Sequence, residues 1–260
     1  MWTREAKGEK VEEGIEWSNA RPSKTHMALV ELEKRGHVQW LVSQNVDGLH
    51  ARSGFPLNRF AELHGNVFAI HCPSCKYREI QDNPVEFIGQ KPIGRICGQI
   101  NSRGSTCRRQ LVDSVLDWEH DLPEPFFSDS WAQSEAADLS IVLGSSLQIQ
   151  PANTLPTLSR KMVIINLSNT KMDRKAHLII KSKCDFAIEI LMQKLKIDIP
   201  EWTGPTIVKE SSLKLEPLPI KEAKPKTTRR KRKTKSEQDP DYTSHSVPKA
   251  PKNEIPENEL

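Results

Sequence analysis

Residues 139–147 read LSIVLGSSL, an apolar run stopped at Gly144 and followed by a serine pair. A run of this length halted by glycine predicts a strand buried on both faces. MVIINL (162–167) repeats the pattern and also ends in polar residues. A further strand is read at LII (178–180), and a short one from Val38 to Val42 that runs into the polar loop SQNVDGLH. Between them the spacing predicts helices. SKTHMALVELEKRG (23–36) places Ser23 at the N-cap, Met27, Val30 and Leu32 on the apolar side, and Gly36 at C′. A second helix is read from about Ser130 to Ala137 and a third over 185–196.

Strands that alternate with helices and end in polar loops indicate an α/β fold with a Rossmann-like parallel sheet. Ligands of such sheets bind beyond the carboxyl ends of the strands. Three clusters stand there: Ser43-Gln44-Asn45-Val46-Asp47, Gly144-Ser145-Ser146 and Asn166-Leu167-Ser168. Any one alone reads as turn residues. Three in succession, each directly after an apolar strand, point to a shared cleft.

Composition bounds the rest. The chain has 260 residues, 36% hydrophobic and 28% charged, with net charge +4. No apolar run is long enough for a transmembrane helix, and MWTREAKGEKVEEG has no apolar secretory core. Five cysteines without a signal suit a reducing compartment rather than a disulfide scaffold. From Gly204 onward the chain is rich in Pro, Lys and Glu, with Tyr242 as its single aromatic residue. Such a segment buries too little apolar surface to offset its ordering entropy and is read as a disordered tail, 205–260. The core is then 1–204, with an insertion over about 65–120 that shows little helix or strand periodicity and holds all but one of the cysteines.

An insertion without its own core needs a staple. Cys72-Pro-Ser-Cys75, then Cys97 and Cys107, provide one. A C-x₂-C knuckle brings a pair of thiolates to one ion, and a second pair closes a tetrahedral zinc site with no open position, hence structural. The nine-residue spacing of the second pair leaves other readings open: reduced core cysteines, or His71 replacing one sulfur. The polar surroundings of Cys97 and Cys107 argue against core cysteines. Cys184 is left over and is read as packing at the last strand-to-helix junction.

His64, in AELHGN, sits between the SQNVDGLH loop and the cysteine insertion. A histidine there suits a general base because its ordinary pKa lies near neutrality. His50 has equal standing on chemistry alone. His37, His120 and His245 have polar neighbours and are read as exposed.

The series LVSQNVDGLHARSG, FAELHGN, the four cysteines, IVLGSSLQIQPANTLP and VIINLSNTKMDRKAHLII resembles the sirtuin family of NAD-dependent protein lysine deacylases. The resemblance runs from Trp2 to about Trp202. ARPSKTHMALVELE, SVLDWEHDLP and DIPEWTGP bring it closest to the class IV, nuclear sirtuin-six-like branch.

It implies NAD as cosubstrate, structural zinc on Cys72, Cys75, Cys97 and Cys107, and His64 as general base. Gln44 and Asn45 would hold the nicotinamide ribose, and Asp47 the carboxamide, with Trp2 at that end of the cleft. Gly144, Ser145 and Ser146 would line the adenosine side. Asn166, with Leu167 and Ser168 beside it, would hold the adenine ribose, and Cys184 would lie near the adenine. An acylated lysine would enter between the lobes, its backbone pairing with loop edges such as the one near Trp118. The acyl group would pass from lysine to ADP-ribose with release of nicotinamide, His64 taking a proton from a ribose hydroxyl. The branch further implies histone and chromatin substrates, mono-ADP-ribosyl transfer and a nuclear location. Arg229-Arg230-Lys231-Arg232-Lys233 in the tail suits nuclear import or contact with DNA.

The family binds the NAD pyrophosphate with a Gly-rich loop after the first Rossmann strand, followed by an Asp-Phe-Arg loop. The 260 residues contain no G-x-G, so the core reads as N-terminally truncated. Without amides at a helix N-terminus to cradle phosphate, the chain as written is expected to bind NAD weakly or not at all. Loss of a central strand is also expected to expose sheet edges and apolar faces. The alternative to a deacylase is therefore a catalytically dead, zinc-containing chromatin interaction protein.

Overall fold

The computed structural model describes residues 16–86, 88–100, 102–117 and 119–214. The chain divides into two units, Met1–Pro219 and Ile220–Leu260, and the second lies outside the described residues. So do Trp2, Trp118, His245 and the basic run 229–233.

Helix α1 (Lys24–Lys34) begins at the N-cap Ser23. Its free amides are satisfied from across the fold: Asp185 Oδ1 accepts from Ser23 Oγ and from the Thr25 N–H, both at 2.9 Å. Gly36 ends the helix at φ +78°, where its N–H donates to Glu33 O and the His37 N–H to Leu32 O, a Schellman closure that favours glycine. Val38 also donates to Leu32 O. The first part of the expected strand is thus spent on closing α1, and β1 is Leu41–Ser43 rather than 38–42.

β1 pairs in parallel with β2 (Phe60–Glu62), Ser43 facing Glu62. The short helix α2 (Leu49–Arg52) lies between them. A second parallel sheet has the order β7 (Leu139–Leu143), β8 (Lys161–Ile165), β9 (Leu178–Ile180). The last of these matches the expected strand residue for residue. Helix α4 (Cys184–Leu195) follows it and packs Ile188 and Met192 against Ala28 and Leu32 of α1. Leu143 reaches both this cluster and the one built on Leu29, Val30, Ala51, Phe55 and Phe60, so the end of β7 ties the two sheets together. This is an α/β, Rossmann-like fold with parallel sheets.

The expectation that 139–147 is buried on both faces does not hold. β7 ends at Leu143, Val142 is 7% exposed, and Leu139 and Ile141 are 48% and 41% exposed. One face is covered through Val142, Met162 and Ile164. On the other, only Leu143 lies under the helices. Leu178, Phe186 and Ile190 are also open.

The insertion over 65–120 carries more strand than its sequence suggests: a four-stranded antiparallel sheet ordered β4 (Arg78–Ile80), β3 (Ala69–His71), β6 (Gln110–Asp113), β5 (Pro92–Ile96). Strands of three to five residues are too short for period-2 alternation to register. Helix α3 (Phe126–Ala136) starts earlier than the expected Ser130. Its added turn brings Phe126 and Phe127 onto the cluster of Ala61, Leu63, Ala152 and Leu155.

Residues 205–214, read from composition as tail, return along the core. The Leu57 N–H donates to Val208 O, Arg59 Nη2 donates to Leu213 O, and Ser211 Oγ donates to Glu33. Backbone pairing anchors this stretch where apolar content alone would not. No helix among the described residues is long and apolar enough to cross a membrane.

Candidate functional site

The carboxyl ends of β1, β2 and β7 converge. Gln44 follows β1, and its carbonyl oxygen lies 2.9 Å from His64 Nδ1. A carbonyl can only accept, so Nδ1 carries a proton, and in the neutral ring Nε2 is the acceptor. Gln44 Oε1 accepts from Ser145 Oγ at 3.2 Å, which joins the loop after β1 to the loop after β7. Gln44 Nε2 is buried and has no partner among the described residues. A buried, unmatched amide donor beside an imidazole base suits an oxygen-rich ligand such as a ribose.

The neighbouring loop is preset by its own backbone. The Asn45 N–H donates to Ser43 Oγ, and Asn45 is exposed. Asp47 Oδ1 accepts from the Leu49 N–H, capping α2 across Gly48, which sits at φ +66°.

The remaining candidates form a second group. The Gly144 N–H donates to Ile165 O. At φ +66°, a Cβ on Gly144 would lie 3.5 Å from Cys184 Sγ. The Ser146 carbonyl accepts from the Lys171 N–H, and Asn166 Nδ2 donates to Ser168 O. Leu167 is exposed. Burial first, and Asp185 next to it, push the Cys184 thiol up, so it is a neutral packing group. The strand-end clusters thus fall into a Gln44–His64–Ser145 set and a Gly144–Cys184–Asn166 set, with Gly144-Ser145 common to both.

His50 parts company with His64. Its ring packs against that of His26 at 4.5 Å between centroids, tilted by 43°, and lies 6.3 Å from Phe60. Burial first, then the His26 charge, push its pKa down to about 3. It is a neutral interior group rather than a base open to substrate. His37 and His120 are exposed, as expected.

The cysteines of the insertion come together. Cys72 Sγ lies 3.7 Å from Cys107 Sγ, Cys75 Sγ lies 3.5 Å from Cys97 Sγ, and the four ligand atoms lie within 4.8 Å of one another. These separations exclude disulfides, whose S–S bond is about 2.05 Å. They match the roughly 3.8 Å edge of a tetrahedron with Zn–S bonds of about 2.3 Å. His71 is outside the cluster, on β3. Burial pushes the Cys97 thiol up to about 12. Cys72 is drawn down to about 7, burial opposing the amides of Cys75 and Ser74 that stabilise its thiolate. Four cysteine sulfurs held this close suit one cation, whose binding would draw the thiols to thiolates, and the cluster fits a closed, structural zinc site.

Sequence reading passed over the polar groups beneath His64. Glu62, Asn66 and Asp113 are buried, at 3%, 0% and 0% exposure. The available signal was Glu62 itself, an acid on a strand between Ala61 and Leu63.

The Sir2 family profile matches residues 5–151. The chain is 43% identical over 209 residues to the Drosophila melanogaster protein named NAD-dependent protein deacetylase Sirt6, covering 78% of this chain and 66% of that one. It is 42% identical over 207 residues to the Oryza sativa subsp. indica NAD-dependent protein deacetylase SRT1, with 78% and 42% covered. Against the Homo sapiens NAD-dependent protein deacetylase sirtuin-7 the figures are 34% over 221 residues, 78% and 52%. The chain therefore spans about two-fifths to two-thirds of the length of these relatives. Among solved structures it is similar to Sir2Tm bound to a propionylated peptide (TM-score 0.54, 27% identity, 70% of this chain and 74% of that one). It is likewise similar to a Sir2–p53 peptide–NAD+ complex (TM-score 0.54, 28% identity, 76% and 78%).

Proposed function

The chain belongs to the Sir2 family, and on that premise we propose that the protein is an NAD-dependent protein lysine deacylase of the class IV, sirtuin-six-like branch. The observation that carries the reading is the fixed His64 tautomer, with Nδ1–H held by the Gln44 carbonyl. NAD, when bound, supplies the ribose that receives the acyl group and the nicotinamide that leaves. His64 Nε2 would accept the proton of a ribose hydroxyl whose oxygen takes the acyl carbon from the lysine nitrogen, the lysine amine being released. Gln44 and Asn45 hold the nicotinamide ribose, the free Gln44 Nε2 donating to it. Asp47 meets the carboxamide; Trp2, which the family resemblance assigns to that end, lies outside the described residues. Gly144, Ser145, Ser146, Asn166, Leu167, Ser168 and Cys184 line the adenosine side. Zinc on Cys72, Cys75, Cys97 and Cys107 holds the insertion in shape and takes no part in the chemistry.

The substrates proposed are acylated-lysine proteins, histones among them, with mono-ADP-ribosyl transfer as a companion activity. The run 229–233 supports a nuclear site of action and contact with chromatin or DNA. A second reading is a zinc-containing chromatin interaction protein without catalysis, supported by the closed four-cysteine cluster and the basic run 229–233. Turnover separates the two. The chain is incubated with an acetyl-lysine peptide and NAD in the millimolar range, so that weak phosphate binding does not hide chemistry. Deacylated peptide and nicotinamide in equal amounts support the deacylase, whereas peptide that is bound but unchanged supports the second reading.

A further inference from the structure

We propose that Glu62 is a positioning residue for His64, acting through Asn66 and anchored by Arg78 of the zinc-bearing insertion; the proposal rests on the reading of His64 as the base. The argument starts from the strand. Glu62 ends β2, two residues before His64, and is 3% exposed. A carboxylate in such a place must have every lone pair directed at something. Its oxygens divide the work: Oε2 meets the Arg78 guanidinium, and Oε1 accepts from Asn66 Nδ2 at 2.7 Å.

Asn66 is fully buried, and its Oδ1 accepts from the Phe68 N–H at 2.8 Å. That bond fixes which end of the amide faces Glu62. The Asn66 backbone is pinned as well, its N–H donating to Ser114 Oγ and its carbonyl accepting from the same hydroxyl. Between the two, Gly65 is pressed so close to the insertion that a Cβ would lie 2.0 Å from Ser114 O. The His64 carbonyl accepts from the Leu116 N–H. The backbone of the base is therefore clamped on both sides, at 62 by a charge pair and at 66 by a buried amide.

The other half of the His64 geometry comes from the same register. The Leu63 N–H donates to Ser43 O, and Ser43 faces Glu62 in the parallel ladder. The next residue, Gln44, receives Nδ1–H from His64. A buried ion pair adds little to stability compared with apolar residues of similar size, and its best-attested use is to fix one arrangement among several. Here that arrangement is the height of His64 relative to Gln44. The residue that reports it is reached from the zinc-bearing sheet through Arg78 on β4.

The test is made on the zinc-loaded full chain, by nitrogen-15 NMR of the histidine ring, which distinguishes Nδ1–H from Nε2–H without NAD or turnover. Wild type is expected to show His64 as a single Nδ1–H tautomer. The double substitution Glu62→Leu with Arg78→Met replaces the ion pair by apolar groups and removes the acceptor of Asn66. It is expected to keep one zinc and a cooperative melt while the tautomer preference of His64 falls roughly tenfold, the equivalent of one lost hydrogen bond. A folded, zinc-replete double variant that keeps the single tautomer overturns the proposal. Should the double variant not fold, Asn66→Ser decides, since it leaves the ion pair in place, removes the amide that bonds Glu62, and puts a hydroxyl near the Phe68 N–H that the amide oxygen accepted from; the same two outcomes apply. Failure of the deacylase reading shows separately, as absence of turnover in wild type with its tautomer intact.

Discussion

His64 Nδ1 lies 2.9 Å from the carbonyl oxygen of Gln44, and the Gln44 side chain in turn accepts from Ser145 Oγ at 3.2 Å. One residue thus sets the tautomer of the candidate base and joins the loops after β1 and β7. His64→Ala is expected to lower NAD-dependent deacylation by roughly a hundred- to ten-thousand-fold, the range for a general base. Zinc content and the thermal melt should stay as in wild type. Turnover retained within a few fold would remove His64 from the role.

The four-sulfur cluster makes a second expectation. One zinc per chain should be found by metal analysis, and Cys97→Ser should lose it together with cooperative folding of the insertion, since binding energy and folding energy are shared in such sites. A stable, metal-free Cys97→Ser protein with a native-like spectrum would contradict a structural site.

The packed pair His26 and His50 predicts how stability follows pH. Both are opposed to protonation in the folded state: His50 is pushed to about 3 by burial and then by His26, and His26 is lowered by burial against the pull of Asp47 and Asp185. Unfolded, each titrates near 6.5. Their neutral burial therefore costs nothing above pH 6.5, and stability is lost as the pH falls from there toward 3. His50 contributes a slope of up to about 1.4 kcal/mol per pH unit. His50 Nδ1 has no hydrogen-bond partner among the described residues, so His50→Phe breaks no hydrogen bond with them there. It should flatten the decline between pH 6.5 and 5 in denaturant titrations. An unchanged pH profile would show that the pair does not titrate as described.

Gly65 and Gly94 both take positive φ, +88° and +74°, yet their surroundings differ. A Cβ on Gly65 would meet Ser114 backbone at 2.0 Å, whereas nothing lies within 4 Å of one on Gly94. Gly94→Ala should cost about 1 kcal/mol, the conformational penalty alone. Gly65→Ala should cost about 3 kcal/mol or more, because backbone must move. Equal losses in urea melts would mean that the His64 loop is not clamped against the insertion.

β7, β8 and β9 were legible as apolar runs that end at glycine or polar residues, and the three longer helices by their apolar spacing, whereas the parallel strand β2 (Phe60–Glu62) and the four-residue helix α2 carry no such signal. LII at 178–180 and the closure of α1 at Gly36 are cases where local chemistry and tertiary structure agree. β7 is partly open where burial was expected, because an apolar run reports composition and not what lies over it; Leu139 and Ile141 stay about half exposed. The strands of the insertion were invisible for lack of length. Its cysteines stood out, since ligand chemistry is written in residue type rather than periodicity. His50 and His64 could not be separated by sequence, as only packing sets one against the His26 ring and leaves the other beside Gln44.

The most direct measurement is nicotinamide release by the full chain with acetyl-lysine peptide and NAD in the millimolar range, beside His64→Ala. The account predicts nicotinamide and deacylated peptide in equal amounts from the wild-type chain, and neither above background from the variant. Peptide that binds yet stays acylated, or equal release from both proteins, would contradict it.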